Sequence, residues 1–163
     1  MFHFTFRGLE EIGDIPRVID FLARQDLGYP RYQDWVQRTE FELQTGYKTP
    51  FLAFDGHTLV ADLIFQDHKT LPRVRELKNL RVHPDVRGRF FAAFLLRQAE
   101  VYQSGSFDTL LGDVREDQHA MLSVLRTAGY QPLFPLPLYS PDSNEVILAK
   151  TKTSLDSVTA YFH

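Results

Sequence analysis

Apolar and polar residues alternate at the start of the chain. Phe2, Phe4 and Phe6 stand between His3, Thr5 and Arg7, and this period of two predicts a strand over residues 2–8. The period then changes. Ile15, Val18, Ile19 and Leu22 recur at helical spacing to about Arg24, with Asp14 as the expected N-cap and Pro16 near the first turn. Leu27-Gly28-Tyr29-Pro30 breaks this helix, and a second is predicted from about Tyr32 to Thr45, with Trp35, Val36, Phe41 and Leu43 partly buried and Gly46 as its end. Strands follow at about 50–55 and 58–66, with Asp55-Gly56 between them as a hairpin signal. A loop from Gln66 to Leu71 leads into a long strand at about 73–82.

Phe91, Phe94, Leu95 and Val101 form one stripe of a helix after Gly88, and Gly105 reads as its stop. Leu110 and Leu111 mark a short buried strand, residues 116–128 a helix ending at Gly129, and Val146 to Ala149 a last strand. Four of the nine prolines fall within residues 132–141, so that stretch is expected to be an irregular edge or lid and not a central strand. In the tail, Leu155, Val158 and Phe162 have the spacing of a short docking helix. The order β, α, α, β, β, β, α, β, α, β, β combines antiparallel neighbours with a β-helix-β unit. The expected fold class is therefore α/β (α+β mixed), a mixed central sheet of about six to seven strands flanked by about four helices. One domain is expected over residues 1–163, with a core at 1–150 and a C-terminal tail at 151–163.

Composition narrows the function classes. A net charge of −3 argues against nucleic acid as the main partner. The chain has no cysteine, which excludes disulfides, thiolate metal sites and cysteine nucleophiles and fits a cytoplasmic location. No apolar run reaches membrane-spanning length, so no membrane partner is expected, and the N-terminus lacks the pattern of a signal peptide. The six histidines show no metal-ligand spacing, and no metal is expected.

The most informative stretch runs from Glu76 to Leu96. It reads as a strand, a tight turn with Pro84 and Gly88, and an amphipathic helix. Such a turn presents several unpaired backbone N–H groups at the positive end of a helix dipole, a setting that suits a phosphate or diphosphate. Arg87 and Arg89 add charge of the matching sign.

In this stretch the sequence resembles the GCN5-related N-acetyltransferase (GNAT) family. The family's loop has the pattern Gln/Arg-x-x-Gly-x-Gly/Ala before a helix that often carries Leu-Leu. The aligned residues are Arg87-Gly88-Arg89-Phe90-Phe91-Ala92, with Leu95-Leu96 in register. Leu80-Arg81-Val82-His83-Pro84 resembles the family's strand and exit turn, and Gln118 to Tyr130 its later helix. The resemblance implies an acetyl-CoA-dependent transferase acting on a primary amine of a small molecule or protein, by direct attack in a ternary complex. Backbone N–H groups from Gly88 to Ala92 would hold the diphosphate, with Arg87, Arg89, Phe90 and Phe91 around it. The backbone of Leu80, Arg81 and Val82 would pair with the pantetheine arm, and Gln118 would lie at the cofactor. By analogy a homodimer is favoured over a monomer.

An alkylammonium group has a pKa of about 10.4, so a proton acceptor helps at neutral pH. The resemblance places Glu76 in that role. Two residues depart from the family pattern. Phe90 replaces a glycine and is expected in a helical φ that tolerates a side chain, with Phe90 and Phe91 as core and pocket wall. Leu125 stands where the family often has a tyrosine that protonates the leaving thiolate, so Tyr130, Tyr139 or water would serve instead. These departures motivate an alternative, a catalytically weak acyl-CoA-binding or regulatory module on the same fold. A third reading is an interaction module that uses the aromatic-rich surface without any cofactor.

Overall fold

The structure, a computed structural model, describes residues 3–152. Its elements are β1 (Phe4–Arg7), α1 (Asp14–Ala23), α2 (Tyr32–Gln44), β2 (Thr49–Asp55), β3 (Thr58–Asp67), β4 (Val74–Val82), α3 (Phe91–Val101), β5 (Thr109–Arg115), α4 (His119–Thr127), β6 (Gln131–Ser140) and β7 (Ser143–Thr151). This is the element order that the hydrophobic periodicity predicts. The strands form one seven-stranded mixed sheet in the order β1-β2-β3-β4-β5-β7-β6. The β4–β5 ladder is parallel and runs from Val74↔Thr109 to Glu76↔Leu111, while β4 itself continues to Val82. The ladders β1–β2, β2–β3, β5–β7 and β6–β7 are antiparallel. The expected docking helix of the tail lies outside the described residues.

The chain divides into two compact units, residues 1–66 with 78–99, and residues 67–77 with 100–163. In the first, Val18, Phe21 and Leu22 of α1 and Tyr32, Val36 and Leu43 of α2 pack with Leu52, Phe54, Leu59 and Ile64 of β2 and β3. The Tyr32 hydroxyl donates to the Leu22 carbonyl at 2.8 Å, so its one polar atom is satisfied inside this core. Phe91 of α3 meets Phe4 and Phe6 of β1 edge to face, with centroids 4.8 and 5.1 Å apart.

Three local expectations are corrected here. Asp14 does not cap α1, because the N-cap is Gly13. Its carboxylate instead accepts from the backbone N–H groups of Glu10 and Glu11 and from Arg7, and so ties the preceding loop to β1. Phe41 is exposed, and the buried positions of α2 are Tyr32, Val36, Thr39 and Leu43. On α3 the buried stripe is Phe91, Leu95, Leu96 and Ala99, and Phe94 and Val101 lie outward.

In the second unit two buried cations find partners. Arg75 donates to the Tyr102 carbonyl and lies 4.1 Å from the ring centroid of Phe107. Lys150 reaches Glu100 at 2.8 Å and the Ala128 carbonyl, the C-cap of α4, at 2.7 Å. The proline-rich segment is a ten-residue strand, β6, at the end of the sheet order, with two register shifts against β7. Its edge position is the one expected of a proline-rich strand, although it is more regular than a lid.

Candidate functional site

The turn after β4 is built from short-range bonds. Pro84–Val86 forms a single 3-10 turn, the His83 N–H donates to the Val60 carbonyl at 2.8 Å, and the Arg87 N–H donates to Pro84 at 3.3 Å. Buried Val86 anchors the turn from below. Arg87 folds back, its Nε donating to the Val82 carbonyl at 3.1 Å. Gly88 has φ +75, and a Cβ built on it would meet nothing within 4 Å.

Phe90 has φ +63, which corrects the helical value expected for it. The backbone there is left-handed, as a glycine would make it, at a strain of about 1–2 kcal/mol for an L-residue. The Phe90 residue is 83% exposed, whereas Phe91 is core. The Phe90 carbonyl accepts the first helical bond, from the Phe94 N–H at 3.0 Å. Helix geometry then leaves the amides of Phe91, Ala92 and Ala93 without intrahelical acceptors. A phenylalanine at this N-cap position has no side-chain oxygen with which to satisfy them. The result is a set of convergent donors at the positive end of α3, with Arg87 and Arg89 exposed beside it.

On β4 the inward-outward alternation slips at Asn79 and Leu80, which are both buried. Arg81 and Val82 are half-buried, and Arg81 Nη1 donates to the Leu80 carbonyl at 3.2 Å. Asn79 Nδ2 donates to Asp62 Oδ2 at 2.6 Å. Asp62 is fully buried on β3, and its second oxygen has no hydrogen-bond partner. Burial pushes its carboxyl up to about 7, against the lowering effects of the Asn79 bond and the Arg81 charge. Sequence reasoning missed Asp62. The available signal was a lone carboxylate within the apolar run Leu59-Val60-Ala61-Asp62-Leu63-Ile64-Phe65.

In the other unit, Glu76 is half-buried on β4 and stands opposite Leu111 of β5. The β5–β7 register puts Leu111, Asp113 and Arg115 on the same sheet face as Ala149, Ile147 and Glu145. The Tyr139 hydroxyl donates to Asp113 Oδ2 at 3.0 Å. Glu145 is buried and accepts from the Leu138 N–H at 3.0 Å, and desolvation raises its pKa. Gln118 is the N-cap of α4 and makes no side-chain capping bond there. Leu125 is core. Tyr130 is buried, its ring centroid 5.6 Å from Lys150 Nζ, and desolvation and the Glu100 charge raise its pKa. Of the two tyrosines considered as thiolate proton donors, only Tyr139 is exposed.

No family model and no curated protein sequence matches the chain. Solved structures do. An acetyltransferase of the GNAT family from Streptococcus pneumoniae superposes with a TM-score of 0.70 at 13% identity, over 91% of this chain and 99% of its own. The chain has the GNAT fold. The ribosomal-protein-S18-alanine N-acetyltransferase of Escherichia coli matches with a TM-score of 0.71 at 21% identity, over 91% of this chain and 94% of its own. Spermidine N-acetyltransferase from Vibrio cholerae, solved with CoA and spermine, matches with a TM-score of 0.69 at 13% identity, over 92% and 96%. The stretch Arg87 to Ala92, which aligns with the family's loop motif, carries a phenylalanine in place of a glycine and keeps a glycine-like backbone conformation there.

Proposed function

We propose that this chain is a GNAT-type N-acetyltransferase that moves an acetyl group from acetyl-CoA to a primary amine of a small molecule or protein, acting as one domain over residues 1–163. The observation that carries the reading is the loop before α3. Gly88 and Phe90 both adopt positive φ, and Phe90, whose carbonyl accepts the first bond of α3, has no side-chain oxygen to cap the helix. These features fit an anionic ligand such as the diphosphate of CoA. Strain retained at Phe90 is what a binding loop that must hold this shape would keep.

In this reading the amides from Gly88 to Ala92 hold the diphosphate, and Arg87 and Arg89 add charge. The backbone of Leu80, Arg81 and Val82 aligns the pantetheine arm as an added strand. Glu76, directly or through water, takes the proton of the acceptor ammonium. The free amine attacks the thioester carbonyl, a C–N bond forms, and the C–S bond breaks to release the CoA thiolate. A β4 backbone N–H near Leu80 or Val82 stabilises the oxyanion. Thiolate protonation falls to water or Tyr139, since Leu125 carries no proton and Tyr130 is buried. The reaction needs no metal, and a cytoplasmic location fits a soluble acetyl-CoA supply. Among the described residues no helix is long and apolar enough to cross a membrane.

A second reading is a catalytically weak acyl-CoA-binding module. Leu125 in the core and Tyr130 sealed beside Lys150 favour it, because neither offers an open general acid. Thiol release from acetyl-CoA with a panel of primary amines decides between them. Amine-dependent release supports the transferase. Saturable cofactor binding with no release for any amine supports the binding module.

A further inference from the structure

We propose that the acceptor is a small linear amine with at least one further cationic group, bound along a diagonal row of carboxylates formed by Glu76, Asp113 and Glu145. The row follows from the ladder registers. Glu76 of β4 stands opposite Leu111 of β5, and Asp113 lies two residues further along β5. Glu145 of β7 stands opposite Arg115, two residues further again. Residues that are directly opposite or two apart share a sheet face, so the three carboxylates lie on one face. Each step crosses one strand spacing and two residues, or about 8 Å between Cα atoms.

Carboxylates on a sheet face are commonly just solvated, and Glu145 sets this row apart. It is buried, its Oε2 accepts from the Leu138 N–H at 3.0 Å, and its Oε1 has no hydrogen-bond partner. Desolvation, and with it the Asp113 charge, works against its ionisation, so the two carboxylates act on each other along the row. A buried carboxylate oxygen without a donor is costly, and an ammonium N–H supplies the donor. The β6–β7 ladder is interrupted between Leu136 and Ser140, beside Glu145, and there a ligand group can reach the oxygen. The Tyr139 hydroxyl holds Asp113 through Oδ2 at 3.0 Å. Arg115, the cation opposite Glu145, turns its Nε to Asp117 at 2.7 Å, past the end of β5.

Between the carboxylates the face is apolar. Leu111 lies across from Glu76 and Ile147 across from Asp113, both half-buried. Ammonium groups separated by methylenes match this alternation of charge and apolar surface. A peptide acceptor would bring amide groups onto a sheet face, which offers side chains and no main-chain partners. Extended 1,4-diaminobutane carries its nitrogens about 6 Å apart, within reach of the flexible side chains of two successive carboxylates. That the amine at Glu76 is the one that reacts rests on the transferase reading, whereas the cation row does not.

Calorimetry without cofactor, at low ionic strength and neutral pH, compares butylamine, 1,4-diaminobutane and bis(4-aminobutyl)amine. Each added ammonium should tighten binding to the wild type about fivefold or more. Asp113→Asn and Glu145→Gln keep an acceptor oxygen for Tyr139 and for Leu138 and remove only charge. Asp113→Asn, in the middle of the row, should abolish both gains, and Glu145→Gln, at its end, only the gain from the third ammonium. Glu116→Gln, exposed and off the row, should leave the series unchanged. Equal binding of the three amines overturns the proposal. So does a loss in Glu116→Gln as large as in Asp113→Asn, which marks a general field effect. Tighter binding of a blocked Lys-Lys peptide than of the triamine overturns the choice of a small amine. Thiol release from acetyl-CoA separates this proposal from the transferase reading. Stepwise binding with no release for any amine overturns the transferase and leaves the cation row standing. Release whose kcat/KM does not rise along the series leaves the transferase standing and overturns the row as its acceptor site.

Discussion

Asp62 of β3 and Asn79 of β4 share a 2.6 Å hydrogen bond in which both side chains are buried. Burial raises the Asp62 carboxyl to about 7, while an unfolded aspartate titrates near 3.9. Between those values the native state binds more protons than the unfolded chain, so this group lowers stability as pH rises from about 4 to about 7 and has no further effect above. Asp62→Asn removes the titration and keeps the shape. Urea unfolding at pH 5 and pH 8 should show the variant gaining on the wild type at the higher pH, by on the order of 2–4 kcal/mol. Parallel pH profiles for the two proteins would refute the assignment.

Asp14 acts with the opposite sign. Its buried carboxylate is bonded by Arg7 and by the backbone N–H groups of Glu10 and Glu11, and these hold its pKa well below the usual carboxylate range. That stabilisation is complete above about pH 4, the unfolded value, and is lost as pH falls toward the depressed native value. Asp14→Ala leaves Arg7 without its main partner and should cost about 3–5 kcal/mol at neutral pH. Thermal melts at pH 7 and pH 3 check both statements. The gap between variant and wild type should shrink on acidification.

Adjacent phenylalanines at the start of α3 should behave differently. Phe91 is buried against Phe4 and Phe6, and Phe91→Ala should lose about 3–5 kcal/mol. Phe90 is exposed and left-handed, and Phe90→Gly relieves strain of about 1–2 kcal/mol, partly offset by the greater freedom of unfolded glycine. Its melting temperature should stay level or rise. A drop comparable to that of Phe91→Ala would mean that the ring supports the fold.

Much of this architecture was legible because it rests on periodicity. The alternation of Phe4 and Phe6, the helical spacing of Val18 and Leu22, and the Asp55-Gly56 turn each specify an element locally. The loop from Arg87 to Ala92 was legible as a motif. Its backbone was not, since φ at Phe90 is imposed by the turn around it and opposes the residue's own preference. Phe41 and Phe94 were misplaced because helical spacing names a stripe without naming the neighbour that covers it. Asp62 was missed because a carboxylate in an apolar strand gains its chemistry only from burial and from Asn79, seventeen positions away in sequence.

The proposed base gives a kinetic prediction. Glu76→Gln should lower kcat by about 10²-fold or more near neutral pH and flatten the acidic limb of the pH–rate profile, with the cofactor Kd unchanged. A rate within about twofold of wild type across pH would remove Glu76 from the role and leave proton transfer to water.

Calorimetric titration of acetyl-CoA into the wild type and Arg87→Ala tests the central claim most directly. The account predicts saturable binding with one site per chain, a cofactor Kd at least several-fold weaker in Arg87→Ala, and only a small change in that variant's melting temperature without ligand, since the bond lost to the Val82 carbonyl is exposed. Absence of heat and of any thermal shift at millimolar acetyl-CoA would contradict it.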